Sequence, residues 1–228
     1  MQPAKFTLGV DEAGRGSLMG PMVLSGFFLR DREELERLKA LGVDDSKKLS
    51  PGERERIYEA MNGFSYQSVV FTPKDIDREN INRLELLGVR DLTQRFKPQI
   101  LIWDAPVPPE GIPKLLCHLR FVVGWTEEAP SPHIILENKA DATYVACMAA
   151  SIVAKVTRDR EIARLRQTLG DFGSGYPSDP KTRAFIANVN GGWEAIAPHV
   201  RHKWSTLKKI SDLKSQASDS QQQTLCAA

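Results

Sequence analysis

Hydrophobic and polar positions along the chain fall into short apolar runs separated by amphipathic stretches. Phe6-Thr7-Leu8-Gly9-Val10 is a buried-strand pattern, and Met22-Val23-Leu24-Ser25-Gly26-Phe27-Phe28-Leu29 is a second one near enough to pair with it as a hairpin. Leu35, Leu38 and Leu41 recur at helical spacing between Asp31 and Gly42, and Ser50-Pro51-Gly52-Glu53 opens a further helix with a serine cap, a first-turn proline and a capping-box glutamate, ending near Gly63. Ser65 to Phe71 reads as a third strand, followed by a helix capped by Asn80 or Asn82 and running to about Phe96. Gln99-Ile100-Leu101-Ile102-Trp103-Asp104 is a fourth strand, apolar until its last residue.

Beyond Pro106, Pro108, Pro109 and Pro113, a short helix contains Leu115 and Leu116. Phe121-Val122-Val123-Gly124-Trp125 and His133-Ile134-Ile135-Leu136 follow as strand candidates, one of them irregular. The longest helix spans about Tyr144 to Leu169, with Val145, Ala149, Ile152, Val156 and Ala163 on one stripe and Gly170 as its stop. A loop over 173–180 leads into a small helical segment holding Phe185, Ile186, Trp193, Ile196, Trp204 and Leu207. After about Leu213 the Ser/Gln-rich tail lacks core-forming content and is expected to be disordered. Alternating strands and helices define an α/β layered fold.

Composition narrows the picture modestly. The 228 residues, 41% hydrophobic and 26% charged, suit one large domain or a domain with a small appendage, and a net charge of +2 permits local basic patches without a positive blanket. Cys117, Cys147 and Cys226 have no metal-ligand spacing and read as small hydrophobes in a reducing compartment. No apolar stretch reaches the roughly 20 residues of a membrane span, and the first residues lack a signal-peptide core, so an intracellular, cytoplasmic protein is expected.

The chemistry concentrates at the ends of the strands. Asp11 and Glu12 finish the first run, Asp104 finishes the fourth, and Asp141 stands at the mouth of the long helix, where ligands bind in open α/β sheets. Four converging carboxylates repel one another unless cations neutralise them, and oxygen ligands suit a hard divalent ion. Adjacent strand residues point to opposite faces, so Asp11 is expected to be the bridging ligand, with Glu12 contributing by side chain or carbonyl. Asp159 lies roughly 22 Å along the helix from Tyr144 at about 1.5 Å per residue, too far to share that ion, and is read as a structural residue paired with an arginine. In Gly14-Arg15-Gly16 the glycines allow close approach of backbone N–H groups to a ligand, and the arginine can fork onto a phosphate.

Several ordered motifs together resemble the type 2 ribonucleases H (ribonuclease HII), in particular their archaeal members. They are Gly9 to Gly16 with Gly20-Pro21, Asp45-Ser46-Lys47-Lys48-Leu49, Asp104 at a strand end, Lys139-Ala140-Asp141 followed by Ala149 to Asp159, and Gly173 to Pro180. The resemblance spans most of the chain. It implies a ribonuclease H-like mixed sheet flanked by helices over 1–175, a helical C-terminal region over 176–213 and a tail over 214–228. It also implies that Asp11, Glu12, Asp104 and Asp141 bind metal. Gly14, Arg15, Gly16 and Tyr176 would read the RNA–DNA junction through the 2′-hydroxyl, with Ser46 and Lys47 against the nucleic-acid backbone.

The implied activity is hydrolysis of RNA in RNA/DNA hybrids, and cleavage 5′ to ribonucleotides embedded in duplex DNA, by a monomer using two Mg²⁺ or Mn²⁺ ions. Products would carry a 3′-hydroxyl and a 5′-phosphate, with roles in ribonucleotide and RNA-primer removal. Ser17 stands where the family commonly has proline. Gln222-Gln223-Thr224-Leu225 resembles the start of a clamp-binding peptide, but Cys226-Ala227-Ala228 lacks its aromatic pair, so the tail reads as non-binding to a sliding clamp. Rival readings are another nuclease or recombinase on the same fold, the sister type 3 enzymes, which carry an extra N-terminal domain, and a non-catalytic hybrid binder that would not need four acids.

Overall fold

The computed structural model describes residues 6–43, 49–126, 130–189 and 192–208. Five strands form one mixed sheet: β1 (Thr7–Ala13), β2 (Met22–Leu29), β3 (Ser65–Phe71), β4 (Ile100–Asp104) and β5 (His133–Glu137), in spatial order β3-β2-β1-β4-β5. The expected hairpin is present, with β1 and β2 antiparallel and Asp11 opposite Ser25. β4 runs parallel to β1, pairing Val10 with Trp103, so both strands end at the same edge and deliver Asp11 and Asp104 as neighbours.

Helices cover both faces. On one, α4 (Ile81–Phe96) and α5 (Ile112–Val123) pack on Leu8, Val10, Leu24, Leu101 and Trp103. On the other, α1 (Arg32–Ala40), α2 (Pro51–Ala60) and α6 (Val145–Leu169) enclose Phe27, Leu29, Ile57 and Met61. The two-residue period of a strand sorts β1 between these layers: Leu8 and Val10 meet the first, Gly9 the second. A Cβ at Gly9 would lie 2.3 Å from the Ala146 backbone carbon, so its absence lets the start of α6 rest directly on β1.

Most predicted elements are present. Ser50 and Glu53 form the capping box of α2, and Asn80 rather than Asn82 caps α4. Three local expectations are corrected. Phe121-Val122-Val123 is not a strand but the last turn of α5, which ends where Gly124 adopts φ +67 and donates its N–H to Arg120. A short helix α3 (Pro73–Arg78), capped by Thr72 and Asp75, went unread between β3 and α4. Along α6 the buried surface is no single stripe: Val145 to Ala154 is buried throughout because the helix is enclosed between sheet and helices, and further on Ile162, not Ala163, faces inward.

Among the described residues after the 173–180 loop are two short helices, α7 (Pro180–Ala187) and α8 (Trp193–Ile196), and a 3-10 turn, Ala197–His199. Ile186, Ile196 and Val200 share a hydrophobic cluster with Leu18, Met19, Ile162 and Phe172, so this region packs on the loop after β1 and on the end of α6. Cys147 is the small buried residue expected, its thiol donating to the Ile102 carbonyl at 3.3 Å, whereas Cys117 is exposed. Among the described residues, no helix is long and apolar enough to cross a membrane.

Candidate active site

Asp11, Asp104 and Asp141 converge: one carboxylate oxygen from each lies within 4.8 Å of the others. Three elements position them. Asp11 follows Val10 on β1 and is 5% exposed, on the α6 face. Asp104 ends the adjacent strand β4 and accepts the Ala140 N–H at 3.0 Å, which ties it to the short 3-10 turn Ala140–Ala142. That turn carries Asp141, itself 3% exposed, immediately before α6. Burial, reinforced by Asp104 and Asp141, pushes the Asp11 carboxyl up to about 7, while hydrogen bonds from the Ser151 hydroxyl and the Glu12 N–H act in the opposite direction.

Glu12 takes the opposite face, as strand alternation requires, and is not in the three-carboxylate cluster. Its Oε2 is buried without a hydrogen-bond partner among the described residues, and burial, then Asp11 and Glu85, raises its pKa well above the usual range. A donor set made of carboxylates, held together against repulsion and largely out of water, fits a hard divalent cation, and the triad can hold one. Asp159 is not part of the cluster; it is exposed and faces Arg54 at 3.6 Å, the arginine pairing expected of it.

Beside the acids, Gly14 to Gly16 and Tyr176 come together from opposite ends of the chain. The Gly14 N–H donates to the Tyr176 hydroxyl at 3.1 Å, and the half-buried ring stacks beneath the Arg158 guanidinium, 4.6 Å from its centroid. Gly14 has φ +81, and a Cβ there would meet Arg158 Nε at 2.2 Å, so glycine is required on both counts; Gly16 faces open space. Arg15 does not present a free fork for phosphate. Its Nε donates to Glu85 at 2.7 Å, and Asn82 accepts from a terminal nitrogen, because the fully buried Glu85 carboxylate needs a counter-charge. Ser17 is buried and donates its hydroxyl to the Gly14 carbonyl at 2.9 Å, closing the turn by a side-chain hydrogen bond. Ser46 and Lys47 lie outside the described residues.

Sequence reasoning missed Ser151, Glu85, Arg158 and Arg201 as parts of this constellation. Glu85 had a faint signal, a charge between Leu84 and Leu86 in an apolar pattern, and Ser151 and Arg158 lay inside a recognised motif.

Comparison with known proteins places the fold and the sequence in one family. A family model described as Ribonuclease HII matches residues 8–207. The chain is 41% identical over 213 residues to the ribonuclease HII of Pyrococcus horikoshii, covering 90% of this chain and 92% of the relative. The crystal structure of ribonuclease H2 from Pyrococcus horikoshii superposes with a TM-score of 0.78 at 38% identity, covering 92% of this chain and 98% of the other. Ribonuclease HII in its complex with PCNA from Archaeoglobus fulgidus gives a TM-score of 0.74 at 36% identity over 90% and 96% of the two chains. With its fold and its sequence in agreement over nearly the whole length, the chain belongs to the ribonuclease HII family and is a ribonuclease H, a hydrolase of RNA/DNA hybrids.

Proposed function

We propose that the protein cuts duplex nucleic acid on the 5′ side of a ribonucleotide, both in RNA/DNA hybrids and at ribonucleotides embedded in DNA, leaving a 3′-hydroxyl and a 5′-phosphate. The observation that carries this reading is the adjacency of the Asp11-Asp104-Asp141 triad to the Gly14–Tyr176 contact. Chemistry and sugar recognition then sit side by side. Asp11, Asp104 and Asp141, with Glu12 by side chain or carbonyl, would hold two Mg²⁺ or Mn²⁺ ions. When bound, these supply Lewis-acid polarisation of the phosphodiester, an activated water on one side and stabilisation of the leaving 3′-oxygen on the other.

The chain's own residues do the rest. Asp11, with a carboxylate oxygen within 4.8 Å of one from Asp104 and one from Asp141, would be the ligand shared by the ions, and the Ser151 hydroxyl favours its ionised form. Among the described residues the N–H groups of Arg15 and Gly16 have no acceptor, so they are available to a 2′-hydroxyl, the group that distinguishes RNA from DNA. Arg158 supports one face of Tyr176, and the other face suits the deoxyribose next to the ribonucleotide. Ser46 and Lys47 would contact the backbone. Removal of misincorporated ribonucleotides and of RNA primers is the corresponding role, performed by a monomer.

The test is a hydrolysis assay on defined duplexes with zero, one or several ribonucleotides, with Mg²⁺, with Mn²⁺ and with chelator. Metal-dependent cleavage 5′ to the ribonucleotide is expected, with none on all-DNA duplex. Cleavage in chelator, or equal cutting of DNA, would refute the reading. The Archaeoglobus fulgidus protein's complex with PCNA favours a sliding clamp as a partner here too. The tail segment Gln222-Gln223-Thr224-Leu225 lies outside the described residues, and co-elution with a clamp before and after deletion of 214–228 decides whether it binds.

A further inference from the structure

The chain returns to the active-site loop at 199–201. The Gly20 N–H donates to the His199 carbonyl and the Arg201 N–H to the Leu18 carbonyl, each at 2.9 Å, and Met19 and Val200 form an antiparallel bridge. From this bridge the fully buried Arg201 side chain reaches under the loop. Its Nη1 donates to the Arg15 carbonyl at 2.6 Å, and its Nη2 donates to the carbonyls of Gly14 at 2.6 Å and Gly20 at 3.3 Å. Among the described residues Arg201 makes no ion pair, and its Nε is buried without an acceptor. Burying an unpaired guanidinium is unfavourable, so its presence calls for a task that an apolar side chain could not perform.

Peptide planarity supplies that task. In a trans peptide the carbonyl and the next residue's N–H point in opposite directions. Holding the Gly14 and Arg15 carbonyls on one guanidinium therefore turns the Arg15 and Gly16 N–H groups away from it. We propose that Arg201 is a positioning residue for ribose selection: it anchors the inner side of the Gly14–Gly20 loop and thereby aims the Arg15 and Gly16 N–H groups at the substrate's 2′-hydroxyl. This rests on the reading of that loop as the ribose selector. Arginine suits the task because its planar fork spans two carbonyls at once, which the point charge of lysine cannot do. Burial, and then the nearby Arg158, pulls its pKa down to about 10, which leaves it charged at neutral pH.

The experiment compares Arg201→Lys and Arg201→Ala with wild type and Tyr176→Ala in two measurements. The first is amide hydrogen exchange of the free protein, read at the N–H groups of Ser17, Leu18, Met19 and Gly20; both Arg201 variants are expected to exchange faster there while the β1 and β4 amides keep their protection. The second is kcat/KM on duplex DNA with one ribonucleotide and on a long hybrid. Displacement of the reading groups by about 1 Å predicts a loss of about 10- to 100-fold on the first substrate and no more than about threefold on the second, which offers a 2′-hydroxyl at every register. Unchanged exchange in both Arg201 variants overturns the proposal, as do equal losses on the two substrates or full activity in Arg201→Lys. If Tyr176→Ala also leaves substrate preference untouched, the ribose-selector reading falls and takes the proposal with it. Lost preference in Tyr176→Ala beside wild-type preference in Arg201→Lys overturns the proposal and spares the reading.

Discussion

Asp104 Oδ1 accepts the backbone N–H of Ala140 at 3.0 Å, so the carboxylate that ends β4 also fixes the turn carrying Asp141. One side chain thus serves both charge and geometry, and two substitutions separate them. Asp104→Asn keeps an acceptor for Ala140 but loses its charge; cleavage is expected to fall at least about 100-fold, because losing an ion's hold on the transition state costs several kcal/mol. Its melting temperature without metal is expected to rise, since three mutually repelling carboxylates become two. Asp104→Ala loses the hydrogen bond as well and is expected to be about 1 kcal/mol less stable than Asp104→Asn. Melting curves in chelator with single-turnover rates decide it; near-wild-type cleavage in Asp104→Asn would remove Asp104 from the metal site.

The raised pKa of Asp11 gives a pH dependence of definite sign. Its carboxyl titrates near 7 in the folded protein against 3.8 ordinarily, so between about pH 4 and 7 the unfolded chain has released a proton that the folded state keeps. The folded state binds more protons there, and stability of the metal-free protein falls as pH rises through that window. Glu85, also pushed up to about 7 by burial, adds in the same direction. Asp11→Asn is therefore expected to reduce the slope without abolishing it, and Mg²⁺ is expected to restore stability at pH 8 by replacing the proton. Melting temperatures at pH 5, 6, 7 and 8 in chelator test this. A wild-type value that stays flat or rises, or an unchanged slope in Asp11→Asn, contradicts it.

Much of this site was legible because it is written in short-range pattern. Val10-Asp11 and Trp103-Asp104 each end an apolar run in an acid, and parallel pairing of those runs suffices to bring the acids together. Phe121 to Val123 misled because β-branched and aromatic residues favour strands; tertiary packing and the Gly124 cap made a helix of them instead. Arg201 was illegible for a different reason. Its partners are backbone carbonyls 181 to 187 residues away, and a carbonyl has the same chemistry at every residue, so no side-chain pattern announces the contact. The side-chain partner of Arg15 was illegible similarly, since Glu85 is 70 residues distant on α4.

That pair yields an asymmetry. Glu85 is fully buried while the Arg15 side chain is 32% exposed, so removing either partner strands the other in a different environment. Arg15→Ala leaves a buried carboxylate unpaired, expected to cost about 3 kcal/mol at pH 8. Glu85→Ala frees a guanidinium that can turn to water, and is expected to cost less. Because the Glu85 carboxyl already titrates near 7, protonation at pH 5.5 relieves the Arg15→Ala defect. Chemical denaturation at both pH values measures it. A penalty independent of pH, or larger for Glu85→Ala, would show that Glu85 is not held ionised by Arg15.

Tyr176 offers the sharpest test of specificity because its two contacts are chemically separable. The hydroxyl accepts the Gly14 N–H, tying the tyrosine loop to the glycine loop, while the ring lies against Arg158 and outside the apolar cluster of the C-terminal helices. Tyr176→Phe keeps the ring and loses the acceptor, so Gly14 loses one hydrogen bond, worth about 1 kcal/mol or roughly a fivefold effect. Tyr176→Ala also removes the stacking surface, and base or sugar stacking on an aromatic ring is worth about 1–3 kcal/mol. Cleavage at a single ribonucleotide in DNA is therefore expected to fall modestly in the first variant and by about 100-fold in the second, with smaller losses on long hybrids. Neither change touches a carboxylate, so the metal concentration giving half-maximal rate is expected to stay put. The measurement is a set of rates on both substrates across a metal titration, beside a melting curve. A fall in melting temperature with unaltered substrate preference would make Tyr176 a packing residue, leaving the Arg15 and Gly16 N–H groups to read the ribose.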